Sequence, residues 1–340
     1  MTSQPAAVRE LIVDDRWSGE HGIGRFATEV IARLAVPWRS LGGGESPTSP
    51  LDMLNRRRLG LGANEVVYSP GFNAGLTRAR QLLNIHDLIH LEIESERSVA
   101  KTVYYNTVVR AAVRRAGVVM TDSGASARAI SAWVRDDAVE IVVVGCGRSA
   151  AFTPDGPRAA FDRATFVYVG NISKPHKNFD VLLDAIALRP GYALLVVTGD
   201  AALAEEKVAS RGLAASVTVR TGVPDSELAT IYRAAAGSLQ PSLLEGFGLP
   251  PLEATSCATR VAYVASCESV SEIVAGTGVA VSSATDAAGW ASAMDELVTL
   301  SGTGPLQMPA EWHARYEWDT VAAKVQAVLD DFNLSRSSWA

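Results

Sequence analysis

The stretch from Gln240 to Thr255, Q-P-S-L-L-E-G-F-G-L-P-P-L-E-A-T, restricts the fold more than any other part of the sequence. It continues an apolar run, Ala236 to Gln240, that reads as a strand. Gly246 and Gly248 permit a tight loop after it. Pro250 and Pro251 suit a first helical turn, where an amide has no intrahelical partner. The expected layout is strand, glycine loop, then a helix from about Gly248 or Leu249 through Cys257. A loop of this kind aims backbone N–H groups and a helix N-terminus at one point, which makes an anion site. Glu245 before the loop and Glu253 one turn into the helix add carboxylates that a bare phosphate would not use. A ligand with phosphate in its middle and hydroxyls at both ends would use all of them, and a sugar nucleotide fits that description. The plainer reading is a glycine turn into a core helix flanked by two solvated glutamates.

Strand, loop and helix alternate twice along the chain. Val8 to Asp14, Glu65 to Tyr68, Gln81 to Ile85, Val118 to Thr121 and Glu140 to Val144 read as strands of a first half. Gly24 to Leu34 and Ser98 to Ala116 carry helical apolar spacing. Pro37 to Pro50, rich in Gly, Ser and Pro, reads as an exposed loop. Gly145 to Ala164 has few periodic apolar residues and reads as a linker. The alternation restarts with Thr165 to Val169, Ala193 to Thr198, Val217 to Val219 and Arg260 to Val264. Ala193 to Thr198 is almost continuously apolar, as a parallel sheet covered on both faces requires. Helices are expected over Asp225 to Ala236, capped by Asp225, over Asp286 to Leu300 and over Asp319 to Phe332. A chain of 340 residues exceeds what one core sustains, so two domains are expected. We place an N-terminal domain at 1–150, a second at 151–315 and a closing helix at 316–340.

Between the first strand and helix lies W-S-G-E-H-G-I-G-R, where Gly19, Gly22 and Gly24 allow a ligand to approach the backbone. Glu20 and His21 read equally well as plain loop residues. The pattern is not G-x-G-x-x-G, and no acidic residue ends a second strand at the right distance, which argues against a nicotinamide site. His86 and His90 are four apart but follow a strand, and no third ligand stands at metal spacing. His90, Glu92 and Glu94 read as surface. Arg56, Arg57 and Arg58 read as a solvated helix face, with an anionic acceptor or a membrane surface as the lesser reading. Asp122 or Ser123 is the N-cap of a following helix. After Val169 come Gly170, Asn171 and, at the head of a helix, Lys177, an arrangement that holds phosphate by charge and amides. A lysine there opposes the helix dipole, which favours a functional reason for it.

E-G-F-G-L-P-P-L-E resembles the E-x7-E signature of retaining glycosyltransferases of family 4. The resemblance implies the GT-B fold: two Rossmann-like α/β domains facing a deep cleft, with the C-terminal helix returning to the first domain. G-I-G-R-F is similar to the family's first glycine loop, which places Gly22 and Gly24 near the donor phosphate and acceptor. H-D-L resembles its third loop, making His86 a contact to the donor sugar with Asp87 fixing the loop. G-N-I-S-K-P-H-K resembles G-R-x5-K, whose Arg and Lys clamp the diphosphate. Lys177 matches the lysine. Asn171 stands in the arginine's place, so one cation is missing there, and substitution by Lys174 is open. The segment Arg220 to Val223, with Gly222 and Val223, resembles the base-reading loop. S-C-E-S-V-S-E is similar to the family's S-x-P-E, with Ser271 for proline. By the family pattern Glu245 accepts the sugar hydroxyls and Glu253 the ribose. Lys177 and the loop at Gly246, Phe247, Gly248 and Leu249 meet the diphosphate.

The implied activity moves a glycosyl group from a nucleoside diphosphate sugar to an acceptor hydroxyl with retention, by front-face departure and without a metal. Uridine is favoured over guanosine on family frequency. The acceptor is a small molecule or oligosaccharide, as in antibiotic (orthosomycin, avilamycin-type) or polysaccharide biosynthesis. A GT-B-like sugar-nucleotide epimerase and a non-catalytic sugar-nucleotide-binding protein are the alternatives. A net charge of −6 gives no reason to expect nucleic acid. Cys146, Cys257 and Cys267 form no pair motif and read as buried thiols of a reducing compartment. Without an apolar signal core or a membrane-length run, a cytoplasmic protein is expected.

Overall fold

The computed structural model describes residues 11–19, 22–44 and 46–334. The chain divides into two compact units, Met1–Gly147 with Ala314–Ala340, and Arg148–His313.

Among the described residues, unit 1 holds six short strands: β1 (Leu11–Val13), β2 (Trp38–Ser40), β3 (Val66–Ser69), β4 (Arg80–Leu83), β5 (Val118–Thr121) and β6 (Glu140–Val143). Four of them pair in the order β2-β1-β3-β4 and two as β5-β6, all parallel. A single bridge, Asn84 to Met120, joins the two groups. β1, β3 and β5 are buried throughout, which suits their almost unbroken apolar sequences. β2 lies inside the stretch expected to be loop. Its three residues are half-buried or exposed and pair with β1 through backbone alone, so no apolar pattern announces it. Val8, Arg9 and Glu10 of the expected first strand lie outside the described residues, as do Glu20 and His21.

Helix Gly22–Ile31 buries Gly24, Phe26, Ala27 and Val30. The closing helix Trp318–Leu334 packs on it: Trp318 meets Phe26 edge-on, Asp319 accepts from Arg33 Nε at 2.7 Å, and Gln326 Oε1 accepts from the Ala35 amide at 2.9 Å. The long helix expected from Ser98 is three pieces in line, Val99–Tyr104, a π turn over Tyr105–Val109, and Arg110–Ala116, stopped by Gly117 with φ +77°. Ser123 caps helix Gly124–Val134 by accepting from the Ser126 amide at 3.0 Å, which leaves Asp122 for another partner.

Unit 2 holds β7 (Thr165–Val169), β8 (Ala193–Val197), β9 (Val217–Arg220), β10 (Gly237–Gln240), β11 (Val261–Val264) and β12 (Val279–Val281) in one parallel sheet, order β12-β11-β10-β7-β8-β9. Sequence reading did not anticipate β12. Phe166, Leu194, Leu239, Ala262 and Trp290 fill the core on the two faces. Helix Asp225–Ala234 begins at Asp225 instead of being capped by it, since Pro224 holds the cap position. The stretch expected as linker is docked onto this unit from Arg148 onward. Phe152 is fully buried, and Arg233 donates to the carbonyls of Thr153 (3.0 Å), Pro157 (2.8 Å) and Ala151 (3.2 Å). Trp312, Tyr316 and Trp318 are buried, as aromatics serving the core should be. Among the described residues no helix is long and apolar enough to cross a membrane.

Candidate functional site

In unit 2 the chain runs from β7 outward to β9, then returns to lay β10 on the other side of β7. The loops leaving β7 and β10 therefore diverge, opening the crevice where open parallel sheets bind ligands. Lys177 comes from the first loop and Glu245 from the second. Lys177 Nζ donates to Glu245 Oε1 at 2.7 Å and Oε2 at 2.8 Å. Gln240 Nε2, at the end of β10, also donates to Oε1 at 2.7 Å and to Ser242 Oγ at 2.9 Å. The Lys177 side chain is 22% exposed and that of Glu245 only 8%. A lysine reachable by solvent thus covers a carboxylate that is not.

The two loops are tied together. The Leu243 amide donates to the His176 carbonyl at 2.8 Å, and Asn178 Nδ2 donates to the carbonyls of Pro241 (3.2 Å) and Ala284 (2.7 Å). Ser269 Oγ donates to the Glu245 carbonyl at 2.8 Å. Gln240 and Ser269 were missed in the sequence. Gln240 had a signal: it is the one amide side chain of its strand, at the end that faces the crevice.

Lys177 does not sit in the first turn of an α-helix. It ends a 3-10 turn, Pro175–Lys177, after which Asn178 turns left-handed (φ 51°), and the helix starts at Asp180. The argument from an opposing helix dipole therefore does not apply, and the ion pair with Glu245 is what holds Lys177 in place.

Gly248 has φ +114°, which a side chain rarely tolerates, and precedes helix Leu249–Ser256. Pro250 and Pro251 have no N–H, so Leu249 supplies the helix's own first amide, with those of Gly246, Phe247 and Gly248 preceding it in the loop. Glu253 is buried in that helix. Burial pushes the nearby Tyr232 phenol up, and Glu253 pushes it further. Tyr168 lies under Gly170, where burial raises its phenol and Glu245 and Asp200 add to the effect. Asn171 uses its Oδ1 to accept from the amide (2.9 Å) and Oγ (2.6 Å) of Ser173, so it shapes its own turn. Lys174 is exposed. Gly222, with φ +63°, and Val223 follow β9, two strands from β7.

The remaining expected site residues belong to unit 1. Gly24 is obligatory, because a Cβ there would overlap the Gly19 carbonyl oxygen. Gly22 opens the same helix. His86 Nδ1 meets Asp122 Oδ2 at 2.5 Å and Nε2 meets the Pro70 carbonyl at 2.9 Å. Both partners are acceptors, which favours the form of the ring that can donate from both nitrogens. Burial alone would lower the imidazole, but Asp122 and then Pro70 prevail and hold it above its ordinary value. Asp87 accepts from the Ile89 amide at 3.0 Å. His90 is not at the surface: its ring lies 4.1 Å from that of Tyr105, and burial followed by the Lys101 charge pushes it down to about 4.

Arg58 also corrects the expectation of a solvated triplet. It is wholly buried at the switch point of unit 1, where β1 lies between β2 and β3. Arg58 Nη2 donates to Asp14 Oδ2 at 2.5 Å. Arg16 bridges Asp14 (2.7 Å, twice) and Asp52 (2.5 and 3.1 Å), and Asn73 Nδ2 donates to both carboxylates at 2.7 and 3.0 Å. Burial alone would raise Asp14, yet Arg16 and Arg58 hold it below the usual carboxylate range.

Residues 163–299 match the family described as glycosyl transferases group 1. The chain is 30% identical over 202 residues to a D-inositol 3-phosphate glycosyltransferase of Mycolicibacterium smegmatis, covering 55% of this chain and 46% of that protein. A protein of the same name from Mycobacteroides abscessus is 30% identical over 190 residues, covering 52% and 40%. The chain thus spans less than half the length of these relatives. Among solved structures, a glycosyltransferase from Rickettsia africae superposes with TM-score 0.69 at 14% identity over 95% of this chain and 98% of that one. The Anabaena protein HepE, solved with UDP-glucose, superposes with TM-score 0.67 at 16% identity over 95% and 99%. Within unit 2 the match is to group 1 glycosyltransferases, and the chain has the GT-B fold.

Proposed function

We propose that the chain is a retaining glycosyltransferase that moves a sugar from a nucleoside diphosphate sugar to an acceptor hydroxyl without a metal. The observation that carries this reading is the Lys177–Glu245 pair at the switch point of unit 2, inside the group 1 segment. When a donor arrives, its diphosphate takes Lys177 and the amides of Phe247, Gly248 and Leu249. Glu245, still held by Gln240, then turns its freed acceptor positions to the sugar hydroxyls, and Glu253 to the ribose. Gly170 and Asn171 shape the loop beside the diphosphate, and Gly222 and Val223 contact the base. His86, with Gly22 and Gly24, serves the sugar and acceptor side from unit 1.

The bond from the anomeric carbon to the phosphate oxygen breaks, and its electron pair stays on that oxygen. The acceptor oxygen bonds to the anomeric carbon from the same face, and its proton passes to the departing phosphate. Preorganised charge at the leaving oxygen supplies most of the rate, worth about 3–4 kcal/mol per strong donor. UDP-sugars are the preferred donors, supported by the UDP-glucose bound to the HepE relative in fold. The acceptor is a small molecule or oligosaccharide, in antibiotic or polysaccharide assembly. Three buried cysteines, none in a disulfide, support a reducing, cytoplasmic setting.

The test is the shift in melting temperature with UDP, GDP, dTDP and ADP, each with and without EDTA. A rise with UDP that EDTA leaves intact and Lys177→Ala abolishes is the expected result. Indifference to all four nucleotides would sink the donor site.

A further inference from the structure

Segment 50–60 of unit 1 is folded inside out. It comprises the 3-10 turn Pro50–Leu54 and the short helix Arg56–Leu59. Its polar residues Asp52, Asn55 and Arg58, spaced by three, turn inward and are 2%, 8% and 0% exposed. Its leucines turn outward: Leu51 is 61% exposed, Leu54 46% and Leu59 46%. The inward face has a structural reason, since Asp52 and Arg58 complete the charge network around Asp14 and Asn73. Nothing in that network requires leucine on the outward face, where polar residues would solvate at no cost.

The apolar surface continues beyond the segment. The Leu76 amide donates to the Met53 carbonyl at 2.8 Å, placing exposed Leu76 beside Leu54. Tyr104 Oη donates to the Ala74 carbonyl at 2.7 Å, which brings in the helix that exposes Val99 and Val103. Single exposed apolar residues are ordinary, whereas six on adjoining turns are not. Around the leucine segment the exposed charges are basic, whereas exposed Glu92 and Glu94 precede Val99. Arg56 and Arg57 are exposed between Leu54 and Leu59, Arg78 and Lys101 beside Leu76 and Val103, and segment 51–60 exposes no carboxylate. This contrasts with the net charge of −6 of the whole chain.

We propose that this face of unit 1 docks on an anionic lipid surface, with the leucines entering the interface and the arginines meeting headgroup phosphates. Leucines carried on short turns with basic side chains between them suit shallow insertion, because long basic side chains keep their heads at the polar layer while their stems lie along apolar surface.

The experiment is flotation of the full chain with vesicles of phosphatidylglycerol mixed into phosphatidylcholine, compared with phosphatidylcholine alone, for wild type, a Leu51→Ser/Leu54→Ser variant and an Arg56→Gln/Arg57→Gln variant. Circular dichroism melting checks that each variant folds, as it should because none of these four side chains is buried. Wild type is expected to float with the anionic vesicles and hardly at all with phosphatidylcholine. The serine variant should remain at the bottom, and the glutamine variant should lose roughly fivefold in affinity per arginine removed. Failure of wild type to float would overturn the proposal. So would flotation unchanged in the serine variant, or a concentration-dependent dimer of wild type that the serine variant abolishes in place of lipid binding.

Discussion

Both units build a parallel sheet with a switch point, and they treat the resulting crevice in opposite ways. In unit 1 the crevice beyond β1 and β3 is filled by the protein's own charges. Two aspartates and two arginines neutralise one another around Asn73, with Arg58 and Asp14 wholly buried. In unit 2 the crevice beyond β7 and β10 holds one lysine on one glutamate, the lysine within reach of solvent. A closed network of four charges has no acceptor to spare, whereas a lone pair from two loops can be parted by a ligand that satisfies each half. Topology alone therefore does not make a ligand site. The number of charges the chain spends on itself decides.

Arg58 is where the largest effect is expected. Arg58→Leu leaves Asp14 and Asp52 with one cation in place of two, and we expect a loss of about 3–5 kcal/mol in urea unfolding. If the variant were as stable as wild type, the network would not be the scaffold of unit 1. Lys177→Ala is the counterpart in unit 2. Turnover should fall about 100- to 1,000-fold while the melting temperature without nucleotide barely moves, a contrast that separates a ligand-facing pair from a structural one. Equal damage to stability and turnover would erase the distinction.

A smaller effect sharpens the picture of unit 1. Because His86 is held above its ordinary value of 6.5 in the fold, its contribution is complete below that pH and is lost as pH rises through the folded value. Melting scans across this range should therefore decline toward alkaline pH in wild type, and Asp122→Asn should flatten the slope. A slope that persists in Asp122→Asn would place the titration elsewhere. Least of all, Ser123→Ala should cost about 1 kcal/mol as the loss of one helix cap, read in the same scans, with nucleotide response in unit 2 untouched.

The elements and the Glu245 loop were legible because their signals are local. Strand residues 236–240, the glycines, and the proline pair fix one another within sixteen positions, and the helix came out one residue from its expected end. What could not be read was pairing across the sequence. Arg58 sits beside two other arginines and looks solvated; only the fold brings in Asp14, 44 positions earlier. His86 was legible as a residue of interest but not its two partners, of which Pro70 offers a backbone carbonyl that any residue would offer. Lys177 was read as a phosphate-type lysine partly on a helix-dipole argument that the structure removes, since the 3-10 turn before Asp180 has no sequence pattern distinct from a first helical turn. β2 and β12, three residues each, are held by backbone pairing that composition does not record.

The closing helix gives unit 1 a dependence on time. Trp318–Leu334 lies against Gly22–Ile31, so unit 1 is interrupted in the chain by the whole of unit 2. On a ribosome, which releases the N-terminal part first, the strands of unit 1 emerge with Phe26 and the flank of their first helix uncovered. They must wait while some 166 residues, Arg148 to His313, are made before the partner for that flank appears. Unit 2, uninterrupted, can finish folding in that interval. The segment that was the second to be written is then the first to be complete, and the first half of the chain is sealed last.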